Sequence, residues 1–590
     1  YNGGGVAAGD IDNDGLVDLL FSSNQNGCKL YRNKGNLQFE EITESAGITY
    51  GDSWTTGVCM IDINSDGLLD IHICRSGLTS DTSWTNLLYV NNGDGTFIEQ
   101  GEKYGLNDMG TSTQIHFFDI DMDGDLDAYV LNHPVDFENS FDPFFQIRAL
   151  KDSLYSNRFY LNKDGKYIES NQALEIGLEK GFSLSASIGD INNDGWPDLY
   201  VANDFISPDH FYINRQGRAF DDSLTTVLEK TTLFSMGSDM ADVNNDGVLD
   251  LFVADMEPGG HFRRKNNDFE LDKTYYDLLH NRFAYTQFSR NMFYTGSSSG
   301  FKEIGYLSNV SMTDWTWTTL FEDLDNDGSK DLFVTNGTKR DFHDLDYNGL
   351  DFDQNVTNSK KRHDELEMIS NMPVSLLPNY AFRNLGDLGF EDVSKIWGLN
   401  DPLNGQGAAI ADLNNDGHLD IVVNNTDAPA GIFINTDTTG HFIKIDLKYN
   451  EPNLNGIGSK VTVYSNNLTQ TKYQYPIRGF QSCMPTTLHF GLGTNNSIDS
   501  VLIGWPNGKH QTITDIEPDA LTTVKYAPNR TISTNKKPDT WFSQTAIKEL
   551  IHSENEFDEI QRDRIVPFGL SRSGPSMATA DMNEDGNADI

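Results

Sequence analysis

Cysteine is scarce in this chain of 590 residues: there are four, Cys28, Cys59, Cys74 and Cys483. So few thiols, so widely scattered, exclude a disulfide-stapled scaffold, and their spacing matches no structural zinc pattern. Cys59 and Cys74 flank one loop at similar distances and could face each other across a hairpin, although buried free thiols are the expected state. Basic residues are also few, with 43 Lys and Arg against 88 Asp and Glu, a formal charge of −45 and a pI near 4.4. A surface of that sign repels phosphate backbones, so no nucleic acid is expected as a partner. No stretch is apolar enough to span a membrane, and no secretory leader opens the chain. The start at Tyr1 and the stop at Ile590, each inside strand-like sequence, are those expected of a piece cut from a longer protein. Long helical periodicity is absent, as are the G-x-S-x-G, H-E-x-x-H and phosphate-loop motifs. The expectation is therefore a β-rich protein that is not an enzyme.

What the chain has in abundance is glycine, 52 residues, and aspartate in a repeated frame. The stretch Asp10-Ile11-Asp12-Asn13-Asp14-Gly15-Leu16-Val17-Asp18 sets the pattern: Asp at position 1, Asp or Asn at 3, Asp at 5, Gly at 6 and Asp at 9. Seven further copies place the same side chains at Asp62, Asn64, Asp66 and Asp70; Asp119, Asp121, Asp123 and Asp127; Asp190, Asn192, Asp194 and Asp198; Asp242, Asn244, Asp246 and Asp250; Asp323, Asp325, Asp327 and Asp331; Asp412, Asn414, Asp416 and Asp420; and Asp581, Asn583, Asp585 and Asp589. Short oxygen side chains at alternate positions converge on one point only when the backbone curls tightly, and glycine at position 6 permits that curl. A hard cation fits such a point. Calcium is expected, about one ion per repeat.

Two other readings compete. An EF-hand loop also begins D-x-D-x-D-G, but it closes with a bidentate Glu at position 12, where these copies have Phe21, Ile73, Val130, Val201, Val253, Val334 and Val423. The position-9 Asp therefore supplies the last carboxylate, and the apolar residues after it read as a strand. An ordinary hairpin turn is also rich in Asp, Asn and Gly, yet a turn needs neither three carboxylates nor their fixed spacing. Asp at positions 1, 3, 5 and 9 accounts for 27 of the 88 acidic residues. Eight divalent ions would bring the charge from −45 to about −29, so folding and cation binding should be linked.

The first seven loops begin 52, 57, 71, 52, 81 and 89 residues apart, room for about four strands per repeat and the period of a β-propeller blade. A second motif runs in phase, an aromatic-containing strand ending in Asn, as in Leu30-Tyr31-Arg32-Asn33, Leu88-Tyr89-Val90-Asn91 and Phe211-Tyr212-Ile213-Asn214. A degenerate copy is Met292-Phe293-Tyr294-Thr295. Each repeat reads as strand, metal loop, strand, third strand, turn, fourth strand. The expected fold is all-β, a seven-bladed propeller over residues 1–435 followed by a small β-sandwich-like domain over 436–527. A linker over 528–551 then leads to the start of a second propeller at 552–590. Because the chain opens on an innermost strand, the outer strand of the seventh blade is expected from residues before Tyr1. In the second domain, Ile443, Ile445, Leu447 and Tyr449 alternate with Lys444, Asp446 and Lys448 as a half-buried strand, and Trp505-Pro506-Asn507-Gly508 reads as a turn. His489, beside an aromatic residue and a glycine-rich turn, reads as a structural hydrogen-bonding histidine.

These loops resemble the FG-GAP or VCBS repeats, which in integrin α-subunits build a seven-bladed propeller with calcium between the first two strands of a blade. The second domain resembles the ASPIC/UnbV domain through Asn455-Gly456-Ile457-Gly458-Ser459-Lys460-Val461, His489-Phe490-Gly491-Leu492-Gly493 and Gly504-Trp505-Pro506-Asn507-Gly508. The resemblance implies a secreted or surface-displayed bacterial protein of the outer-membrane lipoprotein type, its anchor lying before Tyr1. It implies a binding or scaffold role toward a protein or glycan, or as the accessory subunit of an outer-membrane transporter or surface assembly.

Long insertions follow the second strand of three repeats, at residues 133–157, 256–291 and 338–380. They should share one face with the turns that lead into the inner strands, which include Tyr1, Trp54, Asp314, Trp315, Trp317 and Gln406. Loops on a rigid scaffold can vary without disturbing its core, so this is the expected partner surface. It carries Phe141, Phe144 and Phe145 in the first insertion, His261, Arg263, Arg264 and Tyr275 in the second, and Arg340, His343 and Asp344 in the third. The alternative is a polysaccharide lyase or hydrolase acting through His133, His261 or His343. The bland reading is that the aromatics pack the insertions down and the charges are solvated.

Overall fold

The computed structural model describes residues 3–49, 54–76, 84–134, 155–177, 181–204, 207–267, 286–297, 300–341, 344, 372 and 374–529. Contacts divide the chain into two units, Tyr1–Thr531 and Ile532–Ile590, and every described residue belongs to the first. The expected linker beyond Asn529 and the eighth loop at Asp581, Asn583, Asp585 and Asp589 lie outside the described residues.

Among the described residues, the first 435 make seven antiparallel sheets of strands near one another in the chain, and a short parallel pair, Lys230–Thr232 with Thr286–Phe288, whose second strand falls inside the run of the fifth sheet. The first sheet runs through Val6–Gly9, Asp18–Phe21, Lys29–Asn33 and Phe39–Glu41; the second through Trp54–Ile61, Asp70–Ser76, Leu87–Asn91 and Phe97–Glu99. The third to sixth begin at Ser112–Phe118, Ser183–Gly189, Ser238–Ala241 and Thr316–Glu322 and have four strands each. The seventh, Gly405–Ala411, Asp420–Asn425 and Gly431–Phe433, has three strands among the described residues. The first strand of each sheet lies against the first strand of the next, and that of the seventh against that of the first, a propeller-like arrangement.

These inner strands are rich in Ala, Ser, Thr and Gly because neighbouring backbones crowd one another. A Cβ on Gly57 would overlap the Thr113 carbonyl of the next sheet and stand 3.0 Å from Gln114 Cα. Buried apolar residues fill the spaces between sheets, with Leu88, Phe97, Ile115 and Phe117 joining the second and third. All four cysteines are buried free thiols.

Residues 441–525 fold into two further sheets. One is Leu488–Gly493, His441–Lys448 and Ala520–Lys525; the other is Leu468–Tyr473, Lys460–Ser465, Ser500–Gly504 and His510–Ile513. The alternation seen in the sequence holds, with Ile443, Ile445 and Leu447 buried against Val461, Phe490 and Trp505. Strand patterning gives no warning of what lies between these sheets. The hairpin Ile477–Arg478 and Ser482–Cys483 leaves its own domain and joins the first sheet, Cys483 pairing in parallel with Ala7. Thr318 Oγ1 donates to Phe480 O at 3.2 Å, Gln114 Nε2 to Ser482 O at 3.5 Å and the Ala408 N–H to Ser482 Oγ at 3.0 Å. With Arg478 on Asp239, the hairpin touches inner strands on every side of the arrangement.

Three expected exposures are corrected. Asp314 is buried under Arg263, and Gln406 is buried with its Nε2–H donating to Gly337 O at 3.2 Å. Trp317 is not on the partner surface: it is 5% exposed, because the Phe480 ring of the hairpin packs 4.9 Å from it and its Nε1–H donates to Gly337 O.

Candidate metal centres

The loops join first to second strands, as expected, and their backbone is locked by the side chains that define the motif. In the first loop the N–H groups of Asp14 and Gly15 donate to Asp10 Oδ1 and Oδ2 at 3.1 and 2.8 Å. The Leu16 N–H donates to Asp14 Oδ1 at 2.9 Å. The position-1 pattern recurs at Asp62, Asp119, Asp190, Asp242, Asp323 and Asp412. Glycine at position 6 has φ of 85° in Gly15 and 104° in Gly124, the left-handed region where side chains are strained.

Position 9 does more than close the loop. Asp18 accepts the Ile11 N–H on Oδ2 at 2.9 Å and the Asn33 N–H on Oδ1 at 2.7 Å, tying the loop to the third strand. Asp70, Asp127, Asp198, Asp250, Asp331 and Asp420 repeat this, with Gly296 in the place of Asn on the fifth sheet.

Sequence reasoning marked the recurrent Asn without giving it work. Asn91 Nδ2 donates to Leu69 O in its own loop and to Ile11 O in the preceding one, at 3.1 and 2.8 Å. Asn33, Asn214, Asn384 and Asn435 make the same cross-loop bond. The loop residue at position 4 was missed altogether. It sits in the left-handed region, and in Asn13, Asn245, Asn326 and Asn415 its amide reaches the position-6 carbonyl of the next loop, as in Asn13 to Gly67 O at 3.0 Å and Asn415 to Gly15 O at 2.8 Å. Its recurrence in Asn13, Asn193, Asn245, Asn326 and Asn415 was the available signal.

Three loops bring carboxylates alone together, Asp10 with Asp12 and Asp18, Asp119 with Asp121 and Asp127, and Asp323 with Asp325 and Asp331, each set offering oxygens within 4.8 Å of one another. The other described loops place Asn64, Asn192, Asn244 or Asn414 at position 3. Desolvation by burial pushes Asp18, Asp70 and Asp198 up to about 7 and Asp127 and Asp323 up to about 8, despite their backbone hydrogen bonds. The protein's own donors thus fall short of compensating these carboxylates, and a divalent cation would supply the difference. Asp121 Oδ1 and Asp125 Oδ1, buried without a hydrogen-bond partner in the third loop, fit the same conclusion.

The second domain seats on this loop end. Lys444 Nζ lies 2.8 Å from Asp412 Oδ2 and 3.1 Å from Asn415 Oδ1. His489 Nε2 lies 2.7 Å from Asn326 Oδ1, the structural role expected of it. Arg478 pairs with Asp239 and Glu322, and Lys472 with Glu322. A cavity of about 370 Å³ remains between loops and domain, lined by Asp10, Asp242, Asp412, Lys330, Lys444 and Arg478 among others.

Sequence models of two families match the chain. The FG-GAP-like repeat matches residues 3–73, 77–130, 190–253 and 370–423, and the ASPIC and UnbV family matches residues 449–531. The chain carries FG-GAP-like repeats and an ASPIC/UnbV domain. Among curated proteins it is 41% identical to cartilage acidic protein 1 of Xenopus tropicalis and of Homo sapiens over 64 residues, 11% of this chain. That stretch is about 10% of the length of those relatives. Among solved structures, an Agrocybe aegerita lectin that recognises non-reducing terminal N-acetylglucosamine is 13% identical with a TM-score of 0.35, covering 66% of this chain and 79% of its own. The V. cholerae biofilm matrix protein Bap1 is 10% identical with a TM-score of 0.28, covering 87% and 59%.

At the opposite end of the FG-GAP sheets, parts of the insertions are described. Arg263 pairs with Asp314 and, at 2.6 Å, with Asp341, binding the second insertion to the third. Arg264 lies 2.5 Å from Glu257, and Arg340 donates to Met372 O at 2.8 Å. His261 is exposed, beside a Phe262 that is 81% exposed. His133 is buried against Phe182, and desolvation pushes it down to about 4. Asp344 forms an isolated bridge with Asn267. Tyr1, Phe141, Phe144, Phe145, Tyr275 and His343 lie outside the described residues.

Proposed function

We propose that the chain is a calcium-stabilised extracellular binding or scaffold protein, displayed at a cell surface, in which a seven-bladed propeller presents its insertion face to a protein or glycan partner. The observation that carries this reading is the division of labour between the two ends. The loop end is occupied by the ASPIC/UnbV domain, whose hairpin also fills the axis, so the surface free to vary is the one bearing the insertions. There Arg263 fixes two insertions to each other through buried carboxylates, a rigid base for a recognition surface.

In each loop, Asp at positions 1, 5 and 9 with Asp or Asn at 3 would hold the ion, which supplies the positive charge that the backbone donors cannot. At the millimolar calcium found outside cells, sites with dissociation constants of about 10⁻⁴ to 10⁻³ M are substantially occupied. Binding rather than turnover is the reading favoured at the insertion face, where His133 is sequestered in apolar surroundings. The test is capture of glycans and of surface-extract proteins by the intact chain in calcium. Partner capture that weakens when Arg263 is changed to Ala supports the reading. Turnover of a polysaccharide that disappears with His261→Ala contradicts it.

A further inference from the structure

The ASPIC/UnbV domain touches the loop end most closely at the sixth loop. Its strand Leu488–Gly493 lies directly on the tip: the Gly493 N–H donates to Asn326 O at 2.7 Å, and His489 Nε2 meets Asn326 Oδ1. A Cβ on Gly491 would overlap Asp323 Oδ2 and stand 2.6 Å from Asn326 Cα. Gly440, on the approach to the domain, would meet Asn326 O at 2.8 Å in the same way. Phe442 stacks on His489 with centroids 5.6 Å apart and covers Gly417 of the seventh loop. Asn326, 1% exposed, donates its own amide to Gly417 O at 3.1 Å. The glycines of His489-Phe490-Gly491-Leu492-Gly493 are thus required by clearance over one loop, and that loop is one of the three carboxylate-only clusters.

We propose that this strand is a latch that senses the loaded state of the sixth loop, so that cation binding there and seating of the ASPIC/UnbV domain are coupled. The inference rests on the cation reading given above. Asp323, Asp325 and Asp331 hold like charges within 4.8 Å of one another, and without a cation their repulsion opens the curl that places Asp323 and Asn326 beneath Gly491. A surface fitted with no room for a methyl group cannot follow that opening. Coupling is reciprocal, so seating also tightens the cation.

The test uses the whole chain, with calcium as the probe and hydrogen exchange of the Leu488–Gly493 amides as the readout, beside equilibrium dialysis of calcium. Asp325→Asn alters the sixth loop at a carboxylate that faces Arg383, 2.7 Å away, rather than the latch. Asp121→Asn makes the same change in the third loop. Calcium should slow exchange across the strand, and Asp325→Asn should raise the calcium midpoint of that protection about tenfold while Asp121→Asn leaves it within about twofold. Equal shifts in the two variants, or protection independent of calcium in a chain that dialysis shows to bind it, would overturn the latch. If dialysis finds no bound calcium, the cation reading falls and the latch with it. Gly491→Ala is the second variant: it should remove protection of the strand while leaving the calcium bound per chain within one ion of the parent, and unchanged protection would sink the proposal.

Discussion

A single asparagine shows how much of this fold rests on side-chain to backbone bonds. Asn91 is 4% exposed and its amide satisfies carbonyls in two successive loops, so Asn91→Ala leaves Ile11 O and Leu69 O without that donor. The expected loss is about 1–3 kcal/mol of unfolding free energy, measured by denaturant titration in calcium. The frame of Asp and Gly was legible in the sequence because all its members lie within nine residues. The reason for the Asn was not, because the partner of Asn91 lies 80 positions away and that of Asn33 lies 380 away.

At the same scale, pH reports on the loop carboxylates. Burial raises Asp18 and Asp70 from 3.8 to about 7 and Asp127 and Asp323 to about 8 in the cation-free fold. Groups raised on folding bind protons more tightly in the native state, so their contribution is complete below pH 3.8 and is lost as pH rises through about 7 to 8. In chelator, the unfolding midpoint should therefore fall between about pH 4 and pH 8, and calcium should flatten that slope. A chelated midpoint that rises steadily to pH 8 would refute the assignment.

At the scale of elements, the axial hairpin is the least legible part of the molecule. Its strands, Ile477–Arg478 and Ser482–Cys483, are too short for alternation to show, and its partners come from inner strands up to 476 residues earlier. The chemistry of its seat is nevertheless plain. Arg478 donates from Nε to Asp239 Oδ1 at 2.9 Å, from Nη1 to Glu322 Oε1 at 2.6 Å and from Nη2 to Phe321 O at 2.8 Å. Lys472 and Arg478 together hold the buried Glu322 down at about 2 against the cost of its burial. Arg478→Ala would strand the buried Asp239 and leave Glu322 to Lys472 alone, and should cost about 3–5 kcal/mol, whereas an exposed pair such as Lys29 with Glu41 should cost less than about 1 kcal/mol. Thermal unfolding of the two variants beside the parent checks the contrast. The sheets themselves were readable, because four strands per repeat follow from turn chemistry and spacing. Trp317 was misplaced because a tryptophan at a turn gives no sign of the ring that will cover it.

At the scale of the whole molecule, the ASPIC/UnbV domain and the FG-GAP sheets form one compact unit through Thr531. The domain presents Lys444, Lys472 and Arg478 to a loop end rich in carboxylates, so its seat is electrostatic as well as steric. Excess negative charge in the loops then opposes both the ring and its cap. Neutralising that charge with bound cations is the step on which the proposed extracellular role depends.

The most direct measurement of that step is a calcium titration of the chelated chain, following the thermal unfolding midpoint and the calcium bound in the same samples. The account predicts a saturable rise in the midpoint as about seven ions load the described loops, with weaker binding wherever position 3 is Asn. A chain that saturates with no bound calcium, or whose midpoint is the same in chelator and in millimolar calcium, would contradict it.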